Sequence, residues 1–308
     1  MTARRLNRIL LFLLMITIGQ SQAQQGDTDR KALADLRAKA ENGDAQSQYE
    51  LGVVYDFGKQ GVTKDHIEAV KWFRKAAEQN NAAAQDNLGQ CYSVGDGVSK
   101  DYAEAVKWYQ KAAEQNYVPA QFNMGAAYDH GLGVANDDVE ALRWYRRSAD
   151  KHYAPAQFNL GQFYRVGRGV TRDDVEAALW FRKAAEQGFA LAQCGLAACY
   201  INGEGVPKNI DEALRWYRKA ADQDLAQAQY DLGLCYANGE GVAKDYVQAY
   251  KWWTLAANQN NAEARRYLSV LQRNMSPDQI EQGQKLVRTF KPQKVPTTWH
   301  DHSTATSQ

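Results

Sequence analysis

Six times along the chain, apolar residues fall into one amphipathic pattern closed by a pair of aromatics. The tryptophans are Trp72, Trp108, Trp144, Trp180, Trp216 and Trp252, spaced 36 residues apart, and each is followed by Phe73, Tyr109, Tyr145, Phe181, Tyr217 or Trp253. Three residues before each Trp stands an alanine, as at Ala69, Ala105 and Ala249. In the second copy Ala105, Trp108/Tyr109 and Ala112 lie at i, i+3/i+4 and i+7, the spacing of one helical stripe. Upstream, Ala84, Leu88 and Tyr92 mark a second stripe at i, i+4 and i+8. Its signature is Leu-Gly-x-x-Tyr: Leu51-Gly52 with Tyr55, Leu88-Gly89 with Tyr92, Leu160-Gly161 with Tyr164, and Leu232-Gly233 with Tyr236, with Met124-Gly125 and Leu196-Ala197 as variants. A period of this length belongs to stacked arrays. Each copy therefore reads as helix A, a glycine loop, then helix B. One such pair cannot bury both its faces, so the copies must stack.

Helix termini are written into the same period. The loop glycines, Gly95 and Gly97 and their equivalents up to Gly239 and Gly241, suit a helix end where φ turns positive. Asp65, Asp101, Asp137, Asp173, Asn209 and Asp245 each precede Glu or Gln by three residues (Glu68, Glu104, Glu140, Glu176, Glu212, Gln248). Such a pair predicts a helix B start, with a side-chain acceptor at the cap and an acceptor or negative charge in the first turn. The first Leu-Gly interval, Leu51 to Leu88, is 37 residues because the Gly58-Lys59-Gln60-Gly61 loop carries one extra; the others are 36.

The ends read as caps. Residues 28–42 resemble a lone helix B, with Leu36 and Ala40 in the places of Phe73 and Ala77. Residues 43–261 hold the six repeats and 262–290 a half-repeat with a capping helix. In that last helix Ser276-Pro277-Asp278-Gln279 supplies the cap, and Ile280, Gly283, Val287 and Phe290 the apolar face. Residues 291–308, with Trp299, His300 and His302, are polar and expected to be disordered.

Residues 1–23 read as a signal peptide. Arg4, Arg5 and Arg8 precede the apolar run Ile9–Ile18, and Ser21-Gln22-Ala23 offers small residues for cleavage. The run is short for a membrane span, so the expectation is an exported chain, periplasmic or secreted, without a stable membrane anchor. Losing the three arginines takes the formal charge from +1 to −2. A near-neutral array lacks the basic footprint of nucleic-acid binding.

Cys91, Cys199 and Cys235 all follow the helix-A leucine by three residues. Equivalent positions on neighbouring helices lie about 8–10 Å apart, beyond the reach of about 7 Å for a disulfide. They read, with Cys194, as small packing residues. No CxxC or histidine cluster points to a metal or cofactor.

The stretch Ala120–Ala149, with its Ala-Gln-x-x-Met-Gly-x-x-Tyr, glycine loop, Asn136-Asp137 and Ala-x-x-Trp-Tyr-x-x-Ser-Ala, resembles the Sel-1-like repeat, a relative of the tetratricopeptide repeat. The resemblance covers about residues 44–290. It implies an all-α, right-handed α/α superhelical solenoid acting as a protein adaptor. Exported bacterial members of that family often serve envelope signalling, polysaccharide export or host contact. Its cysteine-rich branch is not indicated, because Ala184-Ala185 and Ala220-Ala221 stand where that branch pairs cysteines.

In such arrays helix A lines the concave face. The candidate partner-binding residues are those around the leucine: Tyr49, Phe122, Phe158 and Tyr230 two before it, Asn87, Asn123, Asn159 and Asp231 one before, Gln90 and Gln162 two after. An amide at each period can grip a peptide backbone, offering donor and acceptor together; equally, it can bridge helices. The aromatics can anchor a peptide or pack between repeats. Catalysis has little support. Ser148-Ala149-Asp150-Lys151 matches S-x-x-K, but Ser148 takes a packing alanine's place and no S-D-N or K-T-G follows. The chain thus reads as a non-enzymatic exported adaptor binding a protein or peptide. The alternatives are a carbohydrate or peptidoglycan-binding module, with the Trp252-Trp253 pair as a spare aromatic surface, and a cell-wall hydrolase.

Overall fold

The computed structural model describes residues 28–293, so the predicted leader at 1–23 and the tail from 294 lie outside the described residues. The described residues hold fifteen helices and no strand. They fall into two compact units that divide after Asn136.

The first unit contains α1 (28–41), α2 (Ala45–Phe57), α3 (His66–Glu78), α4 (Ala82–Val94), α5 (Tyr102–Glu114) and α6 (Val118–His130). The second contains α7 (Asp138–Ala149), α8 (Ala154–Val166), α9 (Asp174–Glu186), α10 (Ala190–Asn202), α11 (Ile210–Asp222), α12 (Ala226–Asn238), α13 (Tyr246–Asn258), α14 (Ala262–Gln272) and α15 (Pro277–Thr289). Even-numbered helices from α2 onward are helix A and odd-numbered ones helix B. Successive helices pack on one another from α2 to α6 and from α7 to α14, and α15 packs onto α13. This is the all-α, helix-turn-helix solenoid architecture that the period demands.

The two signatures meet in the core. A Cβ on Gly89 would stand 2.7 Å from the Tyr109 ring, and one on Gly233 2.5 Å from Trp253. The glycine of Leu-Gly therefore leaves room for the aromatic that follows the Trp, Phe73 at Gly52, Tyr109 at Gly89, Phe181 at Gly161 and Trp253 at Gly233. The leucine beside it is fully buried in every case: Leu51, Leu88, Leu160, Leu196 and Leu232 are 0–1% exposed. Contact alanines such as Ala69, Ala112, Ala177 and Ala220 are likewise buried and let the helix axes approach.

Caps form as the residues require, with one difference. Asp65, Asp101, Asp173 and Asn209 each accept a bond from the N–H three residues on, at 3.0–3.1 Å. The glutamate there does not reach back to the cap. The cap N–H is already donated, at 2.9 Å, to the carbonyl of the Leu-Gly-x-x-Tyr tyrosine: Asp65 to Tyr55, Asp101 to Tyr92, Asp173 to Tyr164. Glu68 and Glu104 turn instead to Lys71 and Lys107, each at 2.8 Å. In α9 Leu179 holds that lysine position, and Glu176 accepts from the Trp180 indole at 3.2 Å. The indoles of Trp72 and Trp108, whose glutamates are taken, stay buried with no hydrogen-bond partner. A reciprocal capping box is present at Ser276/Gln279.

Successive repeats are joined by buried glutamines. Gln85 donates to the Ala77 carbonyl at 3.0 Å and accepts from Gln115 at 2.7 Å. Gln157 does the same with Ala149 and Gln187, and Gln193 with Ala185 and Gln223. Each joint satisfies polar atoms that burial would otherwise leave costly. At the far end, Val287 and Phe290 pack on the core around Leu232, and the Phe290 ring meets Trp252 edge-on at 5.7 Å.

Candidate functional site

In the first unit the helix-A residues converge. Tyr49 is half-buried on α2, and its hydroxyl lies near the Asn87 side chain on α4. Asn87 itself is 8% exposed. One residue earlier, Asp86 is wholly buried and accepts from Asn123 on α6 at 2.8 Å and from Gln90 at 3.1 Å. Burial pushes the Asp86 carboxyl up to about 7, against the lowering effect of the two amide bonds. Four of the sequence-predicted residues, Tyr49, Asn87, Gln90 and Asn123, thus gather around an acid that the pattern of aromatics passed over. Phe122 is half-buried beside Asn123. Because the amide nitrogens of Gln90 and Asn123 face the carboxylate, their carbonyl oxygens point the opposite way as acceptors.

The second unit is less continuous. On α8 Phe158 packs against Phe181 and Phe189 at 5.7 and 5.6 Å, so its ring serves the interior contact as well as a half-exposed edge. Gln162 accepts from Arg165 at 2.9 Å, and Asn159 is half-buried. On α10 the row is broken by Cys194, Gly195 and Ala198. It resumes on α12, where Tyr230 meets the Tyr267 ring at 5.9 Å and its carbonyl accepts from the Trp253 indole at 3.0 Å. Asp231 accepts from Gln227 at 3.2 Å and from the Cys194 thiol at 3.8 Å. Burial raises the Asp231 carboxyl and pushes the Cys194 thiol up to about 12, so the thiol keeps its proton. All four cysteines are free, and burial raises each of them.

Helix B carries a second periodic set. A cation three residues after the Trp covers its ring: Lys75 over Trp72, Lys111 over Trp108, Lys183 over Trp180 and Lys219 over Trp216, at 3.6–4.1 Å. An arginine two residues after the Trp reaches the tyrosine hydroxyl of the next helix A, eighteen residues on: Arg74 to Tyr92, Arg182 to Tyr200 and Arg218 to Tyr236 at 2.5–2.8 Å, with Arg146 and Tyr164 paired likewise. The spacing was readable in the sequence once arginine was tracked with the tryptophan. These cations are engaged with their own fold.

No grouping of three metal-ligating side chains occurs among the described residues, and none of their helices is long and apolar enough to cross a membrane. Ser148 is fully buried among packing residues. His130 is exposed, 3.9 Å from Asp129.

The Sel1 repeat model matches six consecutive stretches: residues 45–81, 82–117, 118–153, 154–189, 190–225 and 226–261. A crystal structure of a Sel1 repeat protein from Oxalobacter formigenes is 37% identical, with a TM-score of 0.67, over 76% of this chain and 96% of that one. Among curated proteins, the ERAD-associated E3 ubiquitin-protein ligase component HRD3A of Arabidopsis thaliana is 35% identical over 60 residues. The DAP3-binding cell death enhancer 1 of Rattus norvegicus is 38% identical over 66. Those matches take in 20% and 21% of this chain, and only 9% and 13% of the relatives' own lengths.

Proposed function

The chain belongs to the Sel1 repeat family, and from that premise we propose that it is a non-enzymatic, exported adaptor holding a protein or peptide partner along its helix-A face. Sel1 repeat proteins are in general protein-interaction scaffolds. The two curated relatives point the same way, since one is named as a component of a ligase assembly and the other for binding a protein.

The observation that carries the reading is the row itself. Tyr49, Phe122, Phe158 and Tyr230 keep half-exposed rings on four of the six helix A elements, α2, α6, α8 and α12, with amides or a carboxylate beside them. Within either unit, an extended segment laid against these residues meets acceptors for its N–H groups and apolar rings for its side chains. Glycan binding is less favoured. The Trp252 and Trp253 rings that would stack on a sugar are each only 3% exposed. A hydrolase reading rests on Ser148, which no substrate reaches. Export rests on residues 1–23, and sequencing the N-terminus of the mature protein tests it.

The adaptor reading is tested by affinity capture from the native host. Wild type is compared with Asn123→Ala, Tyr230→Ala and, on the other helix, Arg182→Ala. Loss of the same partner from the first two variants and its retention by the third is the expected result. The reverse pattern would overturn the helix-A assignment. Cell-wall peptide hydrolysis by purified protein, abolished in Ser148→Ala, would overturn the adaptor reading altogether.

A further inference from the structure

The glycine loops close on the helix B that precedes them, except the first. Gly97, Gly133, Gly169 and Gly205 all have positive φ, and a Cβ on any of them would collide with backbone at His66, Tyr102, Asp138 or Asp174 at the start of that helix. The first loop has an equivalent neighbour in α1. Yet Gly61, with φ 76, has nothing within 4 Å of the place a Cβ would take. The extra residue of this loop puts Gln60 at φ 54, and the loop stands away from α1.

What remains between them is a cleft of 710 Å³. Its lining is chemically lopsided. Arg30 and Arg37 come from α1 and Lys64 from the loop, while Leu33 and Tyr55 supply apolar wall. Asp65 also lines it, but its carboxylate already accepts from the Glu68 N–H at 3.0 Å. Arg37 is braced, with Nη2 donating to the Tyr55 hydroxyl at 3.2 Å and the guanidinium 5.9 Å from that ring. A guanidinium held at one corner still offers N–H groups along its remaining edges, in the geometry a carboxylate accepts. The volume lies in the range of organic ligand sites and far exceeds what a bare inorganic anion fills.

We propose that this cleft binds an acidic peptide segment, its carboxylate received by Arg37 and Lys64 and an adjacent apolar side chain laid against Leu33 and Tyr55. The site uses α1, the first loop and Tyr55 near the end of α2, none of them in the helix-A row of Tyr49 and its successors, so it stands independently of that row. Cations and apolar wall side by side select acid and hydrophobe in neighbouring positions. A loop of the common length would close the cleft, as it does in the later repeats.

The test uses the purified protein and a fluorescent, end-blocked Glu-Phe-Glu-Phe peptide, followed by anisotropy, with the Gln-Phe-Gln-Phe peptide and inorganic phosphate as controls. The acidic peptide is expected to bind, and the Gln peptide at least tenfold more weakly. Lys64→Glu and Arg37→Ala, both at exposed residues, should each weaken the acidic peptide by tenfold or more. Deleting Gln60, which restores the common loop length, should abolish binding while circular dichroism shows the helices intact. Tyr230→Ala should leave it unchanged, so failure of the helix-A reading would not register here. Equal binding of the two peptides, or acidic-peptide binding that survives Lys64→Glu and the Gln60 deletion, would overturn the proposal. Phosphate binding lost in Lys64→Glu, with no peptide binding, would overturn it in favour of a small-anion site.

Discussion

The same rung of the repeat is built with opposite chemistry in the two units. In the first, Asp86 lies two residues before its leucine and takes a hydrogen bond from Asn123, one residue before the apolar anchor of the next helix A. In the second, Cys194 holds the Asp86 position and Asp231 the Asn123 position. The acid has changed places with its partner. The first position points inward, and there the carboxyl is wholly buried, while at the second it is half-exposed. No cation offsets Asp86; two amides do, and they leave it close to neutrality. One residue along a helix thus decides whether a carboxylate is wholly or only partly withdrawn from water, and burial raises both.

That comparison is only meaningful if the packing around both rungs is equal. Leu88 and Leu232 are each 0% exposed, so Leu88→Ala and Leu232→Ala should cost the same, about 2–5 kcal/mol, in denaturant unfolding. Unequal losses would mean that the rungs differ in packing as well as charge.

The charge itself is next in size. Asp86 is raised in the folded chain, from 3.8 to about 7, so the unfolded chain releases this proton first. Its contribution is therefore most favourable below about pH 4, declines as pH rises to about 7, and is level above that. Asp86→Asn should remove this fall, on the order of 3 kcal/mol between pH 4 and 8, when its stability profile is subtracted from that of wild type. Asp231 is raised too and adds a slope of the same sign that this variant leaves in place. A difference profile that stays flat would mean that water reaches the Asp86 carboxyl.

Caps should be indifferent to the unit they serve. Asp101→Ala and Asp173→Ala each remove an acceptor from a helix-B N-terminus and should each cost about 1 kcal/mol in thermal or urea unfolding. Smallest is the arginine–tyrosine pairing. Arg74→Ala in the first unit and Arg218→Ala in the second should each change stability by less than about 1 kcal/mol, because the partners stay reachable by water. A larger loss in either would mark that pair as a joint between repeats rather than surface decoration.

Much of this was legible in advance because stacking repeats the same physical problem six times. Whatever solves it recurs at one period: Trp72 and its successors, Leu88 with Gly89, Asp101 with Glu104. Roles that depend on a neighbouring repeat were harder to see. The Ala-Gln pair was visible as sequence, but nothing in one copy says that Gln85 must bridge Ala77 and Gln115. Asp86 was missed for a related reason. A search for recurring aromatics passes over the copy that carries none, and the meaning of that departure lies in Asn123, 37 residues away. The Glu68 side chain was correctly placed in the first turn of α3, but its choice of Lys71 follows from a backbone bond between Asp65 and Tyr55 that only coordinates reveal.

The glutamine joints make the repeats interchangeable couplings. A copy offers a helix-B carbonyl to the neighbour on one side and a helix-A glutamine amide to the neighbour on the other, so the connection does not depend on which copies are joined; Gln121, whose Oε1 has no partner because Lys151 stands in the place of Gln115 and Gln187, is the weaker joint. Excising one period between Gln157 and Gln193 would bring matching ends together, and duplicating it would do the same. Chains of this kind can therefore lengthen or shorten by whole copies without a new interface having to be invented, and their reach can change while the surface chemistry of each link is kept.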